Sequence, residues 1–430
     1  REAREDTVFA EKELEVYNQI KEENEKNEFT GYRNLKNEAE IIAIIKDGNR
    51  ADKIGANEKG EIILDRTPFY SESGGQIGDN GLLISSNKKA EVYDVQEKAE
   101  LFSHYIKVEN GSFKEGEKVT AEVYSDKRKA TARNHSATHL LHRALKDVLG
   151  EHVNQSGSLV TEDKLRFDFN HFSALSDEDI IQIEKKVNKK VMRNLPVKTL
   201  ETTIDKAKDM GAVALFNEKY GKKVRVVTMG EYTIELCGGT HVNFTGEIGL
   251  FKVTSESGIA AGIRRIEAVT GLNTYKYILN RDKILTESAE KLKTNSENIP
   301  TKIENLFSEK KELKREIKKA KKQSNGIIGV NIMFAAKNFK KLLKTAIASG
   351  IDVILSGAGF SRDMFPLGQK ADVPVVPIVS SLRLARISEK LGAAAIIVEG
   401  GNAGGHLGTD VNSWQLVKKI KEKIQIPVIA

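Results

Sequence analysis

The sequence predicts an α+β chain whose architecture changes along its length. A β-rich, barrel-like region is followed by an α+β unit, a helical linker and a parallel α/β segment. Three observations carry this. From about 28 to 125, short runs such as Ala39-Glu40-Ile41-Ile42-Ala43-Ile44-Ile45 and Ala90-Glu91-Val92-Tyr93-Asp94-Val95 are broken by Gly and Asn, the texture of short half-buried strands. Over 128–149, Ala137, Leu140, Leu141, Ala144, Leu145 and Val148 recur at three-to-four spacing, a helix stopped by Gly150. After Ser324-Asn325-Gly326, continuous Val/Ile runs alternate with helical stretches, as parallel strands covered on both faces do.

The elements follow in order. Residues 1–25 are charged and helix-forming, with Phe9, Leu14, Val16, Tyr17 and Ile20 as a weak apolar stripe. Beyond the 128–149 helix, strands are expected at 157–160 and 165–169. A helix over 176–193 opens on Ser176-Asp177-Glu178-Asp179, and strands at 197–203, 223–228, 232–236 and 248–254 complete the α+β unit by about 273. Residues 275–322 read as charged helix with spaced Ile and Leu, interrupted by Pro300: a helical hairpin or coiled-coil linker. The last segment places strands at 327–333, 352–356, 373–379, 394–398 and from 427, with helices at 337–349, 381–391 and 413–424.

Composition bounds the function. The 430 residues, 39% hydrophobic with 34 Gly, exclude collagen-like and disordered classes. One Cys allows no intrachain disulfide, which reads as a reducing, cytoplasmic compartment. No apolar run approaches the roughly 18 residues of a membrane span, and no signal peptide opens the chain. The chain begins at Arg1 and stops at Pro427-Val428-Ile429-Ala430, so it reads as a fragment of something longer. The net charge of +7 is uneven: residues 1–300 carry −4, 301–325 carry +5 and 326–430 carry +6. The run from Lys310 to Lys319 reads as a solvated helix face.

The chemistry concentrates in two short motifs. His135-Ser136-Ala137-Thr138-His139 lies in the predicted helix, so both imidazoles project from one face one turn apart. The single cysteine lies in Cys237-Gly238-Gly239-Thr240-His241, directly after a predicted strand, where two glycines let the chain turn. Together these offer His135, His139, Cys237 and His241, a donor set suited to tetrahedral zinc. The glycines and the strand end suggest an open, accessible site, and a purely structural zinc stays open on spacing alone.

These residues resemble the editing region of alanyl-tRNA synthetase over about 1–322. The resemblance rests on Thr67-Pro68-Phe69-Tyr70-Ser71-Glu72-Ser73-Gly74-Gly75-Gln76, on Arg133-Asn134-His135 through His142, and on His152-Val153-Asn154-Gln155-Ser156-Gly157. Glu235-Leu236-Cys237-Gly238-Gly239-Thr240-His241 and Gly262-Ile263-Arg264-Arg265-Ile266-Glu267 continue it. It implies hydrolysis of serine or glycine wrongly esterified to tRNA(Ala) at its aminoacylated 3′ end. The need is physical, since a pocket for alanine cannot strongly reject either. It also implies zinc on the four residues above, an editing role for Gln155, a contact from Thr67 to the serine hydroxyl, and tRNA contacts from Arg264 and Arg265. Zinc as water activator and zinc as positioner both stay open. The implied organisation is the end of a helical tRNA-recognition region (1–27), a barrel-like part (28–127), the zinc-dependent editing domain (128–273) and a coiled-coil linker (274–325). No aminoacylation domain is present, so no aminoacylation is expected. A catalytically silent tRNA-binding fragment, with the Lys-rich helix dominant, is the alternative.

Residues 326–430 resemble a different family, the flavin-dependent nitronate monooxygenases. The matching stretches are Gly329-Val330-Asn331-Ile332-Met333, Ser356-Gly357-Ala358-Gly359 and Val398-Glu399-Gly400-Gly401-Asn402-Ala403-Gly404-Gly405-His406. The resemblance implies a partial TIM barrel, roughly strands three to seven, with His406 at the place of the catalytic base. FMN is expected only if the barrel were completed. A flavin enzyme fused to an editing region is therefore a third reading. The junction near 323–326 fits a natural fusion, an engineered join or an assembly error alike.

Overall fold

The computed structural model describes residues 14–24, 27–212, 223–333, 338–357, 360–402 and 411–429. The chain divides into two units, 1–281 and 282–430.

In the first unit, the described part of the opening segment is helix α1 over 14–23. Its stripe is used in part: Tyr17 and Ile20 are buried against Ala43, Ile45, Ile63 and Leu101, while Leu14 is exposed. Six antiparallel strands then close a barrel. They are β1 (Lys36–Lys46), β2 (Lys59–Leu64), β3 (Gly81–Ser85), β4 (Lys88–Lys98), β5 (Leu101–Asn110) and β6 (Lys118–Val123). Their order is β6-β3-β4-β5-β2-β1, and β6 also pairs with β1, so no edge is left. Thr120 faces Ile84 on one side and Glu38 on the other. Alternation in β6 sends Val119, Ala121 and Val123 inward to join Ile41, Ile62, Val92 and Ile106.

The α+β part is built on helix α2 (Ser125–Leu149). Arg128, in its first turn, is buried, pairs with Asp79 and donates to the carbonyls of Gly31 (2.7 Å) and Pro68 (2.8 Å). This fixes the start of α2 to the loop before β3. Strands β7 (Gln155–Val160) and β8 (Leu165–Asn170) follow, then α3 (Asp177–Met192), opened by a reciprocal capping box between Ser176 and Asp179. Next come β9 (Val197–Thr203), α4 (Ile204–Asp209), β10 (Lys223–Met229), β11 (Thr233–Leu236), β12 (Phe251–Ala260) and β13 (Ile263–Thr270). Two antiparallel sheets result, ordered β7-β8-β13-β12 and β9-β10-β11. The strand expected at 248–254 starts three residues later, because Thr245–Ile248 forms a 3-10 turn. Leu140, Leu141, Leu145, Phe167, Val187 and Ile266 share the core between helices and sheet.

Helix α5 (Gly271–Leu292) carries the unit boundary, and α6 (Ile299–Gln323) follows it. Pro300 does not interrupt a helix; it lies in the first turn of α6, where a missing N–H costs nothing. The break is at 293–298. In the second unit, Ile317 of α6 is buried in one cluster with Leu343, Ala346 and Ile354, so this end of the expected linker belongs to a core.

Five parallel strands run in sequential order: β14 (Gly329–Asn331), β15 (Val353–Ser356), β16 (Val375–Val379), β17 (Ile396–Val398) and β18 (Val428–Ile429). Between them lie α7 (Phe339–Ala348), α8 (Met364–Ala371), α9 (Leu382–Lys390) and α10 (Ser413–Lys421). Helix α8 is absent from the sequence expectation. Its Pro366 and Gly368 look like breakers, but Pro366 falls in the first turn. Gly368 is required by close packing, since a Cβ there would come 2.7 Å from the carbonyl oxygen of Val373.

Candidate metal centre

Helix α2 places His135, His139 and His142 at i, i+4 and i+7 on one buried face. Strand β11 delivers the other half. Glu235 is buried on it, and Cys237 follows directly. Arg225 on β10 donates to the carbonyls of Cys237 (3.1 Å) and Gly239 (2.7 Å), which pins the turn. Gly239 is there because no side chain fits: a Cβ would overlap the His135 ring and come 2.9 Å from Gln76 Oε1.

One ligand atom each of His135, His139, Cys237 and His241 lies within 4.8 Å of the others. Cys237 Sγ is 3.4 Å from His135 Nε2 and 3.3 Å from His241 Nε2. Each imidazole is oriented through its other nitrogen. His135 Nδ1 donates to Gln76 Oε1 at 2.7 Å, His139 Nδ1 bonds the Glu235 carboxylate, and His241 Nδ1 lies 3.2 Å from Ser136 Oγ. Such outer partners fix the tautomer that leaves Nε2 free to ligate. His139 Nε2 is buried without a hydrogen-bond partner, an orphan that an ion among the four would satisfy. Burial opposes a Cys237 thiolate, yet His135, His241 and His139 hold the thiol well below its ordinary range. Burial likewise opposes the Glu235 carboxylate, and His139 holds it down at about 2. Three nitrogens and one thiolate with oriented rings fit a tetrahedral zinc site.

A cavity of about 100 Å³ opens on this group, lined among others by Tyr70, Ser73, Gln155, Ser158 and Gly238. Gln155, singled out in the sequence, therefore joins the centre. Thr67 does not line this cavity. It is fully buried, its Oγ1 is 2.6 Å from His104 Nε2, and it accepts from the Phe69 amide at 3.1 Å. Arg264 and Arg265 lie on β13, bonded to Glu256 (2.6 and 2.8 Å) and to Asp168 (both 2.7 Å). His406 lies outside the described residues.

Three residues at the centre had no assigned role in the sequence reading. Gln76 accepts from His135 and from the Thr240 amide (2.9 Å), and donates to Thr240 Oγ1 (3.0 Å). Glu235 joins His139 to His142, whose Nδ1 is 3.1 Å from it. His142 lines the cavity, and its Nε2 is buried without a partner. Helical spacing signals His142, and the two-residue strand period that puts Glu235 beside Cys237 signals the carboxylate. Gln76 is 59 residues from His135, beyond any local pattern.

Comparison with known proteins adds three matches to family models. Residues 1–127 match tRNA synthetases class II (A), 224–267 match the threonyl and alanyl tRNA synthetase second additional domain, and 282–430 match nitronate monooxygenase. The alanine--tRNA ligase of Carboxydothermus hydrogenoformans is 50% identical over 294 residues, 68% of this chain and 34% of that protein. Those of Geobacillus kaustophilus (50% over 296 residues, 69% and 33%) and Idiomarina loihiensis (48% over 278 residues, 65% and 32%) are similar. The chain spans about a third of the length of these relatives. Among solved structures, FabK from Thermotoga maritima is 32% identical, covering 28% of this chain and 38% of that one, with a TM-score of 0.27. The nitroalkane oxidase of Streptomyces ansochromogenes is 20% identical over 28% of this chain and 47% of that one, with a TM-score of 0.24. The first two thirds of the chain are alanyl-tRNA synthetase-related, with that family's editing-type domain, and the last third is nitronate monooxygenase-related.

Proposed function

We propose that residues 1–281 hydrolyse serine or glycine from mischarged tRNA(Ala), in the cytoplasm, and that zinc is held by His135, His139, Cys237 and His241. One observation carries the reading: the four donors converge at a cavity that also receives Gln155. The reaction is ester hydrolysis. Water adds to the carbonyl carbon, the bond to the 3′-terminal oxygen breaks, and the products are the free amino acid and a tRNA hydroxyl. Zinc held by these four residues would activate the water or orient the substrate.

The chain's own groups do the rest. Gln155 offers an amide at the cavity wall to orient the aminoacyl group. His142, with Nδ1 turned to Glu235, presents an unpartnered Nε2 that accepts a proton or hydrogen bond from substrate or water. Thr67 enters as a positioning residue for the loop that brings Gln76 to His135. Arg264 and Arg265 hold the sheet that carries Gln155. FMN binding by residues 326–430 is not part of this reading.

The test is deacylation of seryl-tRNA(Ala) by protein of measured zinc content, beside Cys237→Ala. Turnover that requires zinc and disappears in the variant supports the reading. Zinc at about one per chain with no turnover at saturating tRNA rejects it.

A further inference from the structure

Behind the metal-ligand turn, a second and larger cleft of about 520 Å³ runs along the first unit. Thr240 and His241 form part of its wall, so the turn separates it from the small cavity over the metal group. Arg33, Arg128, Lys129, Arg133 and Arg225 line it, against one carboxylate, Glu247. Two of these cations are committed: Arg128 to Asp79, and Arg225 to the carbonyls of the turn. Among the described residues, the Arg33, Lys129 and Arg133 side chains make no hydrogen bond or ion pair, although Lys129 and Arg133 also border a neighbouring cavity with Asp126, Glu162 and Asp163. Unpaired cations on the wall of one cleft repel one another, and an anion lying among them would offset that repulsion.

We propose that this cleft binds the phosphodiester backbone of an RNA 3′ end, and so delivers the terminal ester to the metal cavity. The inference rests on the hydrolase reading and names where its substrate lies. The cations come from three elements: Arg33 before β1, Lys129 and Arg133 one turn apart on α2, and Arg225 on β10. Cations spread along a cleft suit a run of phosphates better than one small anion. Tyr32 links the two cavities. It lines the cleft, donates through its hydroxyl to the carbonyl of Gly238, and carries the Arg225 guanidinium 4.0 Å over its ring. Tyr32 is 44% exposed, which leaves ring surface for a base to stack on. Arg264 and Arg265 are less suited, because both guanidinium groups already pair with carboxylates.

The experiment uses the full chain and an uncharged RNA hairpin with a four-nucleotide 3′ tail, with binding measured from 50 to 200 mM salt. Arg33→Glu/Lys129→Glu is compared with Lys314→Glu/Lys318→Glu on the Lys-rich helix α6. Arg33 and Lys129 are exposed, and metal content reports that the fold survives; Arg33→Gln/Lys129→Gln is the milder variant. We expect the first pair to weaken binding about tenfold or more and to lower the salt slope by about 1 to 2. The α6 pair should leave the slope unchanged. The proposal is overturned if the wild-type chain does not bind, if the α6 pair carries the loss, or if a blunt hairpin binds as well as the tailed one. Because the probe carries no ester, a chain that binds it and fails to deacylate rejects the hydrolase reading alone.

Discussion

At the scale of single residues, Glu235 matters more than its place outside the ligand set suggests. One carboxylate orients both His139 and His142, and outer-shell partners of metal-bound histidines typically govern affinity by 10–100-fold. Glu235→Gln keeps the volume and loses the charge. Its zinc affinity, read by competition with a chelator, should fall within that range, and an unchanged affinity would show that the ring orientation comes from helix packing alone. His104 gives a second test, away from the metal. It is buried in the barrel, with Nδ1 2.8 Å from the Ile62 carbonyl and Nε2 against Thr67, and burial lowers it from 6.5 to about 4. Above pH 6.5 neither the folded nor the unfolded chain protonates this ring. As the pH falls from 6.5 to 4 the unfolded chain takes up a proton that the folded chain refuses, so stability declines across that window and levels below it. Over it, wild type should lose about 3 kcal/mol more than His104→Gln; equal pH slopes in urea titrations would remove the ring as the cause.

At the scale of elements, the turn after β11 is the most constrained piece of backbone. A methyl group on Gly239 collides with His135, and α2 cannot yield because His135 is also tied to Gln76. Gly239→Ala should therefore reduce zinc occupancy to well under half at equimolar metal, with the barrel still folded by circular dichroism. Full occupancy would mean that the turn relaxes. Much at this scale was legible. The α2 periodicity, the Ser176-Asp177-Glu178-Asp179 opening of α3 and the Val/Ile runs of β15 to β17 are each local in sequence, and each element formed. What was not legible depends on partners distant in sequence. Helix α8 contains a Pro and a Gly that only its packing explains. The break between α5 and α6 falls before Pro300, not at it. Ile317 reads as linker until α7 is placed beside it. At the centre, the convergence of His135, His139, Cys237 and His241 was legible from spacing, whereas the Gln76 contact needs the barrel loop to be brought against α2.

At the scale of the whole molecule, the two units hold separate buried clusters, and the four metal donors all belong to residues 1–281. An ion that binds only the folded state of one unit stabilises that unit by linkage, about 4 kcal/mol when free metal exceeds the dissociation constant a thousandfold. For a unit of roughly this size, each kcal/mol shifts the midpoint by about 2 °C. Scanning calorimetry of the zinc-loaded chain should thus resolve two transitions. Chelation should lower one by on the order of 8 °C and move the other by less than about 1 °C. Cys237→Ala, which removes a ligand without a chelator, should lower the same transition. A single transition carrying the heat of both units, or two that move together when the metal is removed, would show that the synthetase-related and monooxygenase-related parts fold as one cooperative body.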